Sequence, residues 1–385
     1  MYSIELEGEP RQRGRAYGET LRWQIRNHIE RFWQGISQGS GQDPQAFIRM
    51  WLSEVNFIPA IERWTPTLLE EVRGIGEGAG LDFESILAWQ FLDELGWYFQ
   101  YLYLPRSQQN MPGEILDGMA CSTFGVIDRE GGSIMLAQNW DSHILLDGSQ
   151  TLLHIHYPNS EYELYVLTAA GRIGPFGISS RGVGVCLNSL NEFLNYSSAG
   201  LPVAFVGRGI LEQADYASAL TFVQSVQHAT GQTYSVGGQE GVTIFECSAN
   251  QVSQYAPGTG SSQVVHTNHP IVNTDFRILP MEVKKQPQVF QTERQTKEIN
   301  SITRFNCIQE RLESAHSVSV ETAQAILRSH DSPSFPVCSH PKPDSLGATM
   351  LGMIMEFTSP PVLHLAPGRP CETEFKTYTF QDRRG

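Results

Sequence analysis

Apolar residues recur every three or four positions through the first hundred residues, and the period shortens toward two through much of the remainder. From Arg13 to Gln38, Leu21, Ile25, Ile29, Phe32 and Ile36 fall nearly in one helical register. A second helix is predicted over Asp43 to Ile61, where Asp43-Pro44 supplies a cap and a first turn. A third runs from Pro66 to Gly74 and ends in the glycine-rich GIGEGAG stretch. The fourth begins after Asp82, carries Leu87, Phe91, Leu95 and Tyr98, and closes before Pro105. Arg106 to Asp117 is polar and holds Pro and Gly, so it is predicted to be an exposed loop.

The period changes at Cys121. Cys121 to Ile127 suits a strand, Asp128-Arg129-Glu130-Gly131-Gly132 a turn, and Ser133 to Asn139 the returning strand. Strands are predicted at Leu152–Tyr157, Tyr162–Thr168, Gly184–Ser189, Thr233–Gly237, Val242–Cys247, Val252–Tyr255 and Val264–Thr267. Helices are predicted at Phe205–Gln213, Tyr216–Val226, Thr296–Glu313 and Val320–His330, and late strands at Thr349–Phe357, Val362–Ala366 and Lys376–Phe380. Two antiparallel sheets packed face to face, with helices on both outer faces, account for this order. The expected fold class is therefore α+β. Residues 1–120 form a helical leader and 121–385 a sheet-rich core, together one structural domain.

Composition narrows the partners. A chain of 385 residues with 40% hydrophobic and 18% charged positions has enough apolar content for a large core. A net charge of −14 argues against a nucleic-acid or anionic-membrane partner. The first twenty residues hold no apolar signal-peptide core, and no stretch approaches the length of a membrane span. Six cysteines in such a chain read as free thiols in a cytoplasmic protein.

The sharpest chemical expectation comes from the first hairpin. If Ile127 pairs with Ser133, Cys121 faces Asn139, and Asp141 projects from the same side two residues on. A slip of one residue would send these side chains to the other face. A free thiol titrates near about 8.5, and its thiolate is the nucleophile. A free α-amine, at about 7.7–8.0, can act as base for its own cysteine. That amine exists only if the chain cuts itself between Ala120 and Cys121. Asp141 would then hold the ammonium, and an Asn amide would donate to a tetrahedral oxyanion, worth about 2.7–4 kcal/mol.

GMACSTFGV around Cys121, QNWD (Gln138 to Asp141), HTNH (His266 to His269), NSITRF (Asn300 to Phe305) and the late SLGATMLGMIMEF resemble, in that order, the acyl-coenzyme A:6-aminopenicillanic acid acyltransferase family. That family belongs to the N-terminal-nucleophile hydrolases, with penicillin V acylases and bile salt hydrolases. The resemblance implies a four-layer αββα sandwich and a zymogen that cuts itself. It implies Cys121 as nucleophile and new N-terminus, Asp141 as partner of its amine, Asn268 as oxyanion donor, and Arg304 as the cation ordering the aspartate side. Asn139 matches a motif position near the nucleophile. It further implies a small-molecule amide or acyl-thioester substrate, with two fragments that stay associated. The family pattern has glycine before the nucleophile and threonine after it. Ala120 and Ser122 stand there instead, and would slow self-processing.

Other constellations carry less. His154-Ile155-His156 could join His266 and His269 as metal ligands, but no carboxylate or paired Cys accompanies them at ligand spacing, so neither a metal nor a cofactor is expected. The glycines of GIGEGAG follow a helix, which argues against a dinucleotide turn. Cys186, Cys247, Cys307, Cys338 and Cys371 share no motif and read as structural thiols. Trp89, Phe91, Trp97, Tyr98 and Phe99 suit an acyl-binding cleft or core packing equally. Two other functions stay open: a papain-like cysteine protease pairing Cys121 with His266 or His269, and a non-catalytic binding protein with an uncut chain.

Overall fold

The computed structural model describes residues 1–99, 120–128, 133–158, 160–256, 262–277, 287–342 and 347–380, with backbone alone at 38–40, 128, 133 and 287–294. The leader opens with β1 (Tyr2–Glu7). Its helices are α1 (Pro10–Thr20), α2 (Arg22–Ser40), α3 (Pro44–Glu54), α4 (Ile58–Trp64), α5 (Pro66–Ala79), α6 (Phe83–Gln90) and α7 (Leu92–Tyr98). The periodic stretches are thus broken more often than expected. Leu21 and Phe91 leave the helical region and split two predicted helices. Val55 turns extended, and the Asn56 N–H donates to the Ser198 carbonyl at 2.6 Å instead of continuing the helix. The predicted loop at Arg106–Asp117 lies outside the described residues.

The glycine-rich stretch is the largest departure from expectation. It lies inside α5, which continues to Ala79 and ends where Gly80 turns left-handed at φ +67°. Its glycines serve a close helix crossing. A Cβ at Gly78 would sit 2.1 Å from the Arg15 carbonyl oxygen, and one at Gly14 would sit 2.1 Å from that of Glu71. Backbone meets backbone, so α1 and α5 pack with no side chain between them.

The remaining strands are β2 (Ser122–Asp128), β3 (Ser133–His143), β4 (Gln150–His156), β5 (Glu163–Ala169), β6 (Phe176–Ser179), β7 (Gly184–Ser189), β8 (Gln232–Gly238), β9 (Gly241–Cys247), β10 (Val252–Tyr255), β11 (Gln263–His266), β12 (Gly347–Glu356), β13 (Val362–Ala366) and β14 (Lys376–Thr379). One sheet runs β1-β4-β5-β6-β7-β8-β9-β10, and the other β11-β2-β3-β12-β13-β14. β1 joins its sheet through a parallel pairing with β4; the other pairings are antiparallel. β1 and β6 escaped the periodicity reading, being short and, for β6, entered through the Gly174-Pro175 turn.

Alternation sorts the second sheet into two faces. Phe124, Val126, Met135 and Ala137 pack on α10 (Pro287–Ser314) and α11 (Val320–Leu327) through Ile308, Leu312, Ala323 and Leu327. Leu136, Trp140, Met353 and Met355 point the other way, into the core shared with Val185, Val236 and Ile244 of the first sheet. The sheets press together closely, since a Cβ at Gly125 would lie 2.8 Å from Val242. α8 (Val203–Leu211) and α9 (Tyr216–Ser225) cover the outer face of the first sheet. The expected αββα layering is therefore present. Among the described residues no helix is long and apolar enough to cross a membrane.

The leader shares the main core. Trp89, Phe91, Trp97, Tyr98 and Phe99 are all buried in it, with edge-on contacts such as Trp51–Phe91 and a Trp97–Tyr196 stack at 4.1 Å. Trp89 donates to the Ala170 carbonyl at 2.9 Å. Glu71 of α5 is clamped between Arg13 of α1 at 2.7 Å and Arg208 of α8 at 3.1 Å.

Candidate active site

The first hairpin returns QNWD toward Cys121, but one residue out of the expected register. Ser122, not Cys121, opposes Asn139, and Ile127 pairs with Ile134. Continuing that register puts Trp140 across from Cys121. The 129–132 turn lies outside the described residues. With a period of two, the shift separates the side chains as a slip must. The Cys121 side chain joins the inter-sheet core with Trp140, while Asp141 aligns with Thr349 of β12. The thiol therefore meets Asp141 through its backbone, with Sγ 3.5 Å from the Asp141 carbonyl oxygen.

Arg304 ties the predicted residues together. It lies on α10, with Asn300 one turn earlier accepting from its Nε at 2.7 Å. Nη1 donates to the Cys121 carbonyl oxygen at 2.7 Å and to the Ser122 hydroxyl at 2.9 Å; Nη2 donates to Asn268 Oδ1 at 3.0 Å. The planar fork reaches four acceptors at once, one more than the three donors of a lysine could serve. Asn268 is held in turn: its backbone N–H donates to Ser301 Oγ at 2.7 Å, and its Nδ2 donates to the Ser189 carbonyl at 3.1 Å.

Asn139 is turned elsewhere. Its Nδ2 donates to the Leu327 carbonyl at 2.8 Å and the Val337 carbonyl at 2.9 Å, so both amide hydrogens are committed to the end of α11 and the segment after it. Sequence reasoning missed Asn188 of β7. Its Nδ2 donates to the Cys121 carbonyl at 2.9 Å, beside Arg304, and Thr233 Oγ1 fixes its other side at 3.2 Å. Nothing in the surrounding NSLNEF marks it; only the packing of one sheet on the other brings it to β2. Thr349 was likewise a strand residue by pattern, yet its hydroxyl donates to Asp141 Oδ1 at 2.7 Å.

The electrostatics are those of a buried, unfinished site. Cys121 is 5% exposed and Asp141 1%. Burial pushes the Cys121 thiol up to about 12, with the Asp141 charge adding to the rise and Arg304 opposing it. Burial likewise raises the Asp141 carboxyl to about 7, against the Thr349 hydrogen bond and Arg304. Asp141 Oδ2 is buried and has no partner among the described residues. A buried carboxylate oxygen without a donor is costly, which marks the place where one is needed.

Among the described residues, His266 and His269 do not supply a base. His266 Nε2 meets Glu246 at 2.7 Å, and its Nδ1 the Thr267 carbonyl at 2.8 Å; His269 meets Ser301 Oγ at 2.8 Å. Neither hydrogen-bonds the Cys121 thiol, so the geometry gives no papain-like pair. His154 and His156 lie on the other sheet from His266, so the four do not converge. The missing carboxylate does exist: parallel β1 brings Glu5 within 3.0 Å of His154 and 2.7 Å of His156.

Among the described residues, a small cavity of about 60 Å³ opens beside Trp140, lined also by Phe32, Leu92, Asp93, Arg172 and Phe176. Asp93 pairs with Arg172 at 2.7 Å and lies close enough to raise the Cys121 thiol further. None of the five clustered leader aromatics lines it.

In this αββα sandwich the Cys121 carbonyl is held by Arg304 and Asn188, and the buried acid Asp141 lies beside the cysteine. The chain belongs to the acyl-coenzyme A:6-aminopenicillanic acid acyl-transferase family, whose model matches residues 127–362. The match takes in Asn139, Asp141, Asn188, Asn268 and Arg304 and begins six residues after Cys121. The chain is 26% identical over 274 residues to the 40 kDa form of acyl-coenzyme A:6-aminopenicillanic-acid-acyltransferase from Emericella nidulans, covering 71% of this chain and 70% of that one. A penicillin V acylase structure from Agrobacterium tumefaciens aligns over 64% of this chain and 83% of its own at 13% identity, with a TM-score of 0.37.

Proposed function

We propose that the protein is a self-processing N-terminal cysteine amidohydrolase or acyltransferase that works on a linear C–N amide through an acyl-enzyme on Cys121. The observation that carries this reading is the pairing of a Cys121 carbonyl gripped by Arg304 and Asn188 with the unpartnered Oδ2 of Asp141. In the chain before cutting, a thiol pushed up to about 12 is almost wholly protonated at neutral pH. Cutting between Ala120 and Cys121 introduces the missing group. The new α-amine arises just before the start of β2, and its N–H is the donor that Asp141 Oδ2 lacks, with its lone pair left to act as base.

Self-cleavage uses the same atoms as turnover. The Cys121 sulfur adds to the Ala120 carbonyl carbon, the C–N bond breaks, and the nitrogen takes a proton to become the free amine. Water then hydrolyses the thioester and frees the leader. In turnover the amine takes the thiol proton, and the thiolate adds to the substrate carbonyl. The leaving amine receives that proton as the C–N bond breaks. Asn268, held by Arg304 and Ser189, donates its remaining amide hydrogen to the oxyanion. Asn139 positions the Leu327–Val337 segment and takes no part in the bond changes. Water or an amine then collects the acyl group from sulfur, which decides hydrolysis against transfer. The cavity beside Trp140 would take an apolar acyl chain. The leader remains bound after cutting, since its helices share the main core.

Intact-mass analysis tests this directly. Active protein is expected as fragments of 120 and 265 residues that co-purify. Cys121→Ala is expected to stay at full length and to be inert. Normal processing of that variant would refute the assignment.

A further inference from the structure

The late cysteines are not independent thiols. The chain brings Cys338 and Cys371 to 3.3 Å between sulfurs, although 33 residues separate them. Two imidazoles close the group. His330 Nε2 lies 3.1 Å from His340 Nε2, which lies 3.2 Å from Cys371 Sγ. One ligand atom from each of the four falls within 4.8 Å of all the others. In a tetrahedral zinc site, bonds of about 2.0–2.1 Å to nitrogen and about 2.3 Å to sulfur set ligand edges of about 3.3–3.8 Å. The three contacts are shorter than the matching edges by about 0.2–0.5 Å, and the other pairs lie within 4.8 Å.

We propose that His330, Cys338, His340 and Cys371 bind one zinc ion. Two thiolates and two neutral imidazoles around Zn²⁺ make an electrically neutral shell, with the two thiol protons released to solvent as the ion binds. Soft sulfur with imidazole in a tetrahedral set favours zinc over the hard cations. Four protein ligands fill the coordination sphere, so the ion is structural and takes no substrate. The surroundings support His340 as a ligand: its Nδ1 lies 3.3 Å from the Glu372 carboxylate, which keeps the proton there and turns the Nε2 lone pair inward. His330 is exposed and leaves a path for the ion.

The site would pin the segment that orders Asp141. Ser339 sits between two of the ligands, and its N–H donates to Thr349 Oγ1 at 2.8 Å. The Thr349 N–H donates back to the Ser339 carbonyl at 3.0 Å, and the Thr349 hydroxyl holds Asp141 Oδ1. Cys338 itself is tied by its N–H to the Ser329 carbonyl at 3.1 Å. Zinc would act here as a positioning element. Its binding does not depend on how Cys121 is activated.

Reduced full-length protein, incubated with excess zinc chloride and desalted, is expected to retain one zinc per chain by elemental analysis. The Cys338→Ser/Cys371→Ser double variant and His340→Ala should lose it, while Cys307→Ser should keep it. Because such variants can fail to fold, wild-type protein should also be titrated with cobalt(II). The expected signal is a thiolate-to-cobalt absorption band that one equivalent of zinc removes. Zinc-free wild-type protein after desalting, undiminished zinc in the double variant, or a Cys338–Cys371 disulfide that forms despite added zinc would each overturn the proposal.

Discussion

Two carboxylates in this molecule are equally buried and opposite in character. Glu71 and Asp141 are both essentially inaccessible. Burial works against ionisation at both. At Glu71 the guanidiniums of Arg13 and Arg208 outweigh it and hold the acid below its ordinary range. At Asp141 one hydroxyl and a more distant Arg304 do not, and the acid rises to about 7. Glu71 accepts hydrogen bonds on both oxygens; Asp141 Oδ2 has no donor among the described residues. The first acid fastens the leader to the core. The second, on the proposed function, would meet its partner charge only after the chain is cut. On that reading the two differ as a group placed for stability differs from one placed for chemistry.

Asp141→Asn gives the largest expected effect. Removing the acid that holds the amine should lower turnover about 10²-fold or more, on the scale of acid–base contributions. Stability of the uncut chain should hold or rise, since an amide is neutral at every pH. Loss of fold in this variant would erase the distinction. Glu71→Ala should behave inversely. It leaves buried Arg13 without its anion and Arg208 with Glu212 alone, and chemical denaturation should show a loss of about 3–5 kcal/mol. The fraction that remains folded should keep its kcat.

The smallest effect is in pH. In Cys121→Ala protein, which stays uncut, Asp141 has a folded value near 7 against about 3.9 when unfolded. A raised folded value means that its contribution is complete below about 4 and is lost as pH rises through 7. The slope is at most about 1.4 kcal/mol per pH unit and should vanish in Cys121→Ala/Asp141→Asn. Glu71 has the opposite sign: its stabilisation is present above the unfolded value and is lost as pH falls through the folded one. Denaturation midpoints from pH 4 to 8 read the difference between the two chains.

Much of this was legible in the sequence. The layer order followed from the switch in apolar period near residue 121. Of the residues in the ordered motifs, Arg304 joins the cysteine to Asn268, while Asp141 meets the thiol only through its backbone carbonyl. What escaped was non-local. A hairpin register is set by its turn and by both sheet faces, so one residue of error moved Cys121 from opposite Asn139 to opposite Trp140. Asn188 reaches the cysteine only because one sheet lies on the other. The glycines of GIGEGAG looked like a helix end because their partner glycines on α1 lie about sixty residues away. Glu5 joined His154 and His156 through a parallel strand that is too short to announce itself.

The central claim is that the Cys121 sulfur becomes a nucleophile by becoming the start of a chain. The direct measurement is to trap active protein with a limiting amount of a thiol-reactive acyl donor and to find the modified residue by fragment mass. The account predicts label on the first residue of the 265-residue fragment, forming with a pH limb near that of an α-amine, about 7.7–8.0. Equal labelling of Cys121 within an uncut 385-residue chain that turns over substrate at the same rate would contradict it.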